Sequence, residues 1–391
     1  AMILVVMVVM AGMAWGQQAT PTPGAERTVV LVDTLSVWRM HCELAPPMMA
    51  NGQAAKLKYS WMNYETPSAP EGWMGTDFDD RFWHRGPATM VCRTAVLRRA
   101  CLRGKFQVTD VGAVKDLRLS VTYHGGIVVY LNGKEVHRAN LEKGKALADG
   151  KGGEARTLDG VAIPKGELKR GVNVLAVEVV RGVYPSEGAE EGDDVYNVNT
   201  CEVSTIRLTA GSEEGLVPNV KRPEGLQAWP ADVLATDVSL DYGDECETGR
   251  PVTIIGAKNG MHSGKILVGS SRAIQGLKVT VGDMKGDGGN IPASAVSLRY
   301  GIPWGEEQIG ENTRLNQVQP YVRQVGTQYN ALSPQVPTEV AVAQGRSQWY
   351  GKGTVLPETV TPVAGAMVPV WLSVSIPKET KAGVYTGSVK I

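Results

Sequence analysis

Leu117 to His137 reads LRLSVTYHGGIVVYLNGKEVH, and this stretch decides the fold. Leu117, Leu119, Val121 and Tyr123 recur at every second position, with Arg118, Ser120 and Thr122 between them, the spacing of a strand with one apolar and one polar face. Ile127 to Leu131 follows as a second apolar run. Asn132-Gly133 then joins it to Lys134–Val136, and this pair most readily takes the positive φ of a two-residue hairpin turn. A strand leading into a hairpin is expected.

Outward from this stretch the β signal continues. Val29–Val32 and Leu35–Trp38 are short β-like runs, Arg103–Val108 precedes the hairpin, and GVNVLAVEVV at Gly171–Val180 has the β-branched content of a central strand buried on both faces. A last strand around Glu202–Leu208 closes a first module near Ala210. Beyond a Pro-containing linker, Val252–Ile255, Lys265–Val268, Leu277–Val281 and Val296–Tyr300 form short strands between Gly, Asn and Asp turns, the pattern of a second sandwich. Residues 301–361 show no clear period. Val368, Val370, Leu372, Val374 and Ile376 then alternate, and Tyr385–Ile391 forms one more strand. The chain stops at that strand, so a downstream part is expected.

Gly 46 and Pro 22 against Phe 3 in 391 residues fit many turns between short strands, and the fold class expected is mostly β. Forty basic and forty acidic residues cancel without a Lys/Arg cluster, which argues against nucleic acid or an anionic membrane as partner. A neutral ligand suits this balance. Residues 1–19, AMILVVMVVMAGMAWGQQA, combine an apolar run with small residues suited to cleavage near Gly16–Ala19. The run is shorter than the roughly twenty residues a membrane span requires. A signal peptide is therefore expected, with the mature protein secreted, periplasmic or on the cell surface and outside the membrane. Export permits disulfides; Cys42 with Cys201 is the first pairing expected and Cys92 with Cys101 the second, leaving Cys246 over.

No catalytic constellation is present in the sequence. Gly269–Ala273 does not meet G-x-S-x-G, the histidines His41, His84, His124, His137 and His262 never form H-E-x-x-H, and GDGGN at Gly286–Asn290 lacks the Lys-Ser/Thr step of a phosphate loop. Glu190, Glu191, Asp193 and Asp194 lie in a Gly-interrupted loop, not on rigid elements at a fixed separation as glycoside hydrolysis requires. The candidate site is instead the aromatic, turn-rich stretch Ala45–Pro87. A flat indole face stacks on the C–H face of a pyranose while nearby polar groups bond its hydroxyls, which makes Trp61, Trp73, Trp83 and His84 the sugar-contact candidates. In GTDFDDRFW, Gly75–Trp83, the residues Phe78, Phe82 and Trp83 are expected to anchor the loop in the core. Trp73 between glycines is as readily exposed as buried. Asp77, Asp79 and Asp80 either cap a turn or supply hard oxygen ligands to a structural Ca²⁺; no other cofactor is indicated.

Two resemblances attach to these residues. GTDFDDRFW, LRGKFQV, VVYLNGKEVHRANL and GVNVLAVEVV, within residues 35–210, resemble the galactose-binding-like jelly-roll modules of secreted bacterial carbohydrate-active enzymes. NGMHSGKILVGSS, GLKVTVGDMKG, IPASAVSLRY and VPVWLSVSIPKETKAGVYTGSVKI, within residues 236–391, are similar to the N-terminal sandwich preceding the catalytic barrel of glycoside hydrolase family 123-like proteins. With the signal peptide and linkers read from the residues, the resemblance completes an expected organisation of signal peptide 1–19, linker and first strand 20–34, jelly roll 35–210, linker 211–235 and a second immunoglobulin-like or jelly-roll-like sandwich 236–391. It implies binding or positioning of a glycan for a downstream catalytic domain in the same polypeptide, and it transfers no catalytic residue, because that family's site lies in the barrel. Two alternatives stand beside it: purely structural sandwiches that bind no sugar, and the front end of a glycoside hydrolase whose active site lies beyond residue 391.

Overall fold

The structure, a computed structural model, describes residues 2–6, 28–49, 51–54, 65–88, 96–145, 155–183, 201–247, 249–303, 321–325, 329–343, 346–350 and 364–391. The protein is mostly β. In the first module the larger sheet runs in the order His84–Gly86, Trp38–Leu44, Leu97–Val108, Gly171–Val180, Gly126–Leu131, Lys134–Ala139. Its partner sheet runs Val29–Asp33, Glu202–Ala210, Arg118–His124, Ala155–Ala162. The expected alternation is present: Leu117, Leu119, Val121 and Tyr123 are all buried, facing Leu102, Phe106, Leu175, Val177, Ile127 and Val129 across the sandwich. Gly171–Val180 sits between two neighbours, as its composition requires. Asn132 and Gly133 take φ of 53° and 93° and turn the hairpin.

The second module has one sheet ordered Leu226–Ala231, Met261–Ser270, Ala366–Ser375, Val296–Pro303, Tyr329–Ser333. A second sheet contains Val252–Ile254, Tyr385–Lys390, Met284–Gly286 and Gly289–Ile291, and the backbone of Met2–Val6 pairs parallel with Tyr385–Val389 and antiparallel with Val252–Ile254. Ile266, Val268, Val368, Val370, Leu372, Tyr385 and Val389 form part of its core.

Several expectations are corrected. The segment 211–235 is not a bare linker: Leu216–Val217 pairs with Gln107 and Val108 of the first module, and Leu226–Ala231 pairs along Met261–Ser270 of the second. Leu35–Ser36 is a turn held by the Asp33 carboxylate, which accepts from both backbone amides, and the strand begins only at Trp38. Cys42 and Cys201 do not form a disulfide. Both pack in the sandwich core, Cys42 from Trp38–Leu44 and Cys201 from just before Glu202–Ala210, but the two are not bonded and the Cys201 sulfur lies 3.9 Å from the Leu97 carbonyl. Cys101 is a buried thiol on the opposite face of its strand from the sandwich core, and Cys92, its expected partner, lies outside the described residues.

Candidate functional site: an aromatic cover over a buried ionic junction

The larger sheet of the first module has a second face, turned away from the sandwich core. Along Leu97–Val108 the even positions Ala100, Leu102 and Phe106 enter the core, and the odd positions Cys101, Arg103 and Lys105 point the other way. Alternation would leave that odd face in water. Instead Arg103 and Lys105 are buried, because residues 65–86 fold across this face as a third layer.

The layer is anchored by aromatics. Trp73 packs on Cys101, Val174 and Ala176, with its ring 5.9 Å from Tyr130 in an edge-on arrangement. Trp83 lies above it, with ring centroids 5.8 Å apart, and is flanked by His41 at 5.3 Å and Phe78 at 5.2 Å. Tyr130 donates its hydroxyl to Glu178 at 3.0 Å, and burial together with the Glu178 charge pushes the phenol far above its ordinary range. This fixes the floor on which Trp73 and then Trp83 are stacked.

The four sugar-contact candidates therefore separate. Trp73 is 4% exposed and forms the floor, not a contact surface. Trp83 is half-buried, His84 beside it is exposed, and Trp61 lies outside the described residues. Phe82 does not anchor the loop, as its apolar ring suggests, but stands 78% exposed with the Arg81 guanidinium 5.6 Å from its centroid. Phe82, Trp83 and His84 thus make an outward aromatic tip, with His41 at its side. Partial desolvation and the Arg39 charge hold the His84 imidazole below its ordinary range, so at neutral pH it is uncharged and can both donate to and accept from a hydroxyl.

The three acids of the loop part company. Asp77 is exposed and lies 3.3 Å from the Thr76 hydroxyl, while Asp79 pairs with Arg81 at 2.6 Å at the surface. Asp80 is wholly buried, and its carboxylate accepts from Arg103 Nε at 2.9 Å and Lys105 Nζ at 2.8 Å, with Arg250 at 3.4 Å. Its partners are the protein's own cations. Among the described residues no group of three His, Cys, Asp or Glu side chains is placed to hold a metal ion.

Asp80 opens onto the junction between the modules. Lys105 bridges it to Glu247, which reaches in from the short helical turn Glu245–Glu247 after the connecting segment and lies 2.7 Å from the ammonium. Arg39 grips the same carboxylate with two bonds, Nε to Oε1 at 2.9 Å and Nη2 to Oε2 at 2.7 Å, the fork geometry of a strong charge-assisted pair. Arg39 also donates to the Trp83 carbonyl at 3.2 Å, and Arg103 donates to the carbonyls of Trp73 and Gly75. Asn219 adds a neutral tie, donating to the Lys105 carbonyl at 3.0 Å and to Asp244 at 2.8 Å. Beside this cluster Arg85 donates to the Tyr242 carbonyl and lies 5.4 Å from the Trp229 ring, and the Tyr242 hydroxyl returns to the Leu35 carbonyl at 3.1 Å. The two modules meet through hydrogen-bonded charges as well as apolar rings.

Asp80 was singled out in the sequence, but as a turn cap or calcium ligand, and its partners Arg39, Arg103, Lys105 and Glu247 were not. The signal that could have found them is the pair Arg103 and Lys105 on one face of a strand, opposite apolar neighbours, with the acid-rich segment GTDFDDRFW some twenty residues earlier.

No family model matches the sequence, and no curated protein matches it. Among solved structures the chain is similar to a β-glucuronidase from glycoside hydrolase family 2 (12% identity, TM-score 0.28, covering 91% of this chain and 28% of that one). It is also similar to a β-glucuronidase from an uncultured Clostridium sp. (12% identity, TM-score 0.26, covering 94% and 46%). A third is a glycosyl hydrolase family 2 member from Bacteroides cellulosilyticus (11% identity, TM-score 0.24, covering 90% and 32%). The chain spans less than half the length of each, and superpositions at this score assign no family.

Proposed function

We propose that this chain is the non-catalytic, glycan-positioning part of an exported carbohydrate-active protein, with the first sandwich contacting sugar through Phe82, Trp83 and His84 and the second supporting a catalytic domain elsewhere in the same polypeptide. The observation that carries the reading is the outward aromatic tip. A 78% exposed phenylalanine next to a half-buried tryptophan is costly to leave in water. The Trp83 ring is backed by a packed floor, so little ordering of it is needed when a ligand arrives. A pyranose offers a C–H face for the rings and hydroxyls for a neutral imidazole. Both the neutral charge balance and the resemblance to galactose-binding-like and family 123-like N-terminal sandwiches support the same class of ligand. Export, read from residues 1–19, belongs to this proposal.

The purely structural alternative draws on one observation, the burial of Trp73, which removes one of the candidate stacking faces. The two are separated by presenting the chain to an array of neutral oligosaccharides alongside Trp83→Ala. A stacked ring is worth about 1–1.5 kcal/mol, so the variant is expected to bind about five- to tenfold more weakly. Equal retention of the two proteins on every oligosaccharide, or no retention of a folded wild-type chain, favours the structural reading.

A further inference from the structure

The aromatic tip lies on the first module, where His84–Gly86 pairs with Trp38–Met40, yet a side-chain donor to its Trp83 carbonyl is held by the second. Arg39 is the link. One edge of its guanidinium is taken by the Glu247 carboxylate through two bonds, and the remaining Nη1 donates to the carbonyl of Trp83. An arginine side chain has several freely rotating bonds, and fixing it costs rotamer freedom. A two-point grip removes that freedom before the third bond is made. The Trp83 carbonyl thus meets a donor already in place.

A second line runs in parallel. Lys105, shared between Glu247 and Asp80, helps keep Asp80 oriented for Arg103, and Arg103 donates to the Trp73 and Gly75 carbonyls that carry the floor.

We infer that Glu247 is a positioning residue for the aromatic tip: the second module, through Glu247 and Arg39, sets where Trp83 stands on the first. This deepens the glycan reading and rests on it for one consequence only. Coupling is reciprocal, so a sugar bound at Trp83 tightens the junction to the degree that the junction tightens its binding. The positional statement itself is measured without sugar.

The test uses the full chain and the isosteric Glu247→Gln variant, which keeps the shape but gives up the ionic grip on Arg39. Hydrogen exchange is followed at the Trp83 amide, which is bonded to the Asp80 carbonyl at 3.0 Å, and at the His84–Gly86 strand. Losing the hold of a charged hydrogen bond is expected to speed exchange there by about tenfold or more. Exchange in Gly171–Val180 and in Ala366–Ser375 should speed far less, by no more than the overall loss of stability. Arg39→Gln is expected to give the same local acceleration, and the double variant no more than either alone, because both act through one link. Overall destabilisation would instead speed all four regions and add between variants. Unchanged exchange at Trp83 and His84–Gly86 in Glu247→Gln, or uniform acceleration across both modules, overturns the inference. If the tip loosens as expected while no oligosaccharide is retained by the wild-type chain, the glycan reading fails and the positioning role stands.

Discussion

Replacing Asp80 by alanine is expected to destabilise the protein by about 3–5 kcal/mol, read as a fall in the urea midpoint at unchanged slope. Asp80 is wholly buried, and its carboxylate accepts from Arg103, itself 1% exposed, and from Lys105, 5% exposed. An intact buried pair contributes little net stability, because desolvation of both ions offsets their attraction. Removing one member is different. Arg103 would be left with its Nε unpaired in a site closed to water, and Lys105 would keep only Glu247. Asp80→Asn is expected to lose less, since the amide oxygen still accepts one bond while its NH₂ group faces two cations. If Asp80→Ala unfolds within about 1 kcal/mol of wild type, the third layer is not closed over the sheet as described.

Acid is expected to weaken the junction. Burial opposes the charged form of Glu247, but the Arg39 hydrogen bonds and the Lys105 charge outweigh it and hold the carboxyl well below its ordinary range. For Asp80 burial again opposes the charge, and Lys105 is chiefly what overcomes it, with a contrary effect from Glu247 and a lesser favourable one from Arg103. A carboxyl whose folded pKa lies below its unfolded value contributes stability that is fully present above the unfolded value, about 4, and is lost as pH falls through the folded one. The charged groups around the pair are Arg39, Arg85, Arg103, Lys105 and Arg250; Asp244, raised by burial and by the Glu247 charge, acts in the opposite sense. The thermal midpoint should therefore drop as pH falls below about 4. The drop should be shallower in Glu247→Gln, which has one such carboxyl fewer. Parallel acid profiles for the two proteins would show that Glu247 is not held ionised by Arg39 and Lys105.

How far the sequence reaches depends on whether a feature is set locally or by what lies over it. Leu117, Leu119, Val121 and Tyr123 could be assigned to the core because a strand has only two faces, and Asn132-Gly133 because few residue pairs tolerate its backbone angles. Arg103 and Lys105 obey the same alternation, yet they are buried. Period-two spacing separates the faces of a strand and is silent about a loop that returns to cover the polar one. Trp73 and Phe82 show the same limit in reverse: both lie in one aromatic loop, and which ring enters the layer is settled by the fit of Trp73 on Cys101, Val174 and Ala176. In the connecting segment, Pro218 and Pro223 suggested an open linker, whereas the short run Leu216–Val217 adds itself to the edge of a sheet.

The measurement closest to the central claim is hydroxyl-radical footprinting of aromatic side chains in the full chain, with and without the best-retained oligosaccharide at saturation. Phe82 and Trp83 are expected to lose most of their reactivity when sugar is bound, with Trp73 unreactive in both states because it is already buried. Protection at other aromatics while Phe82 and Trp83 react as before would contradict the account and move the sugar site away from the tip.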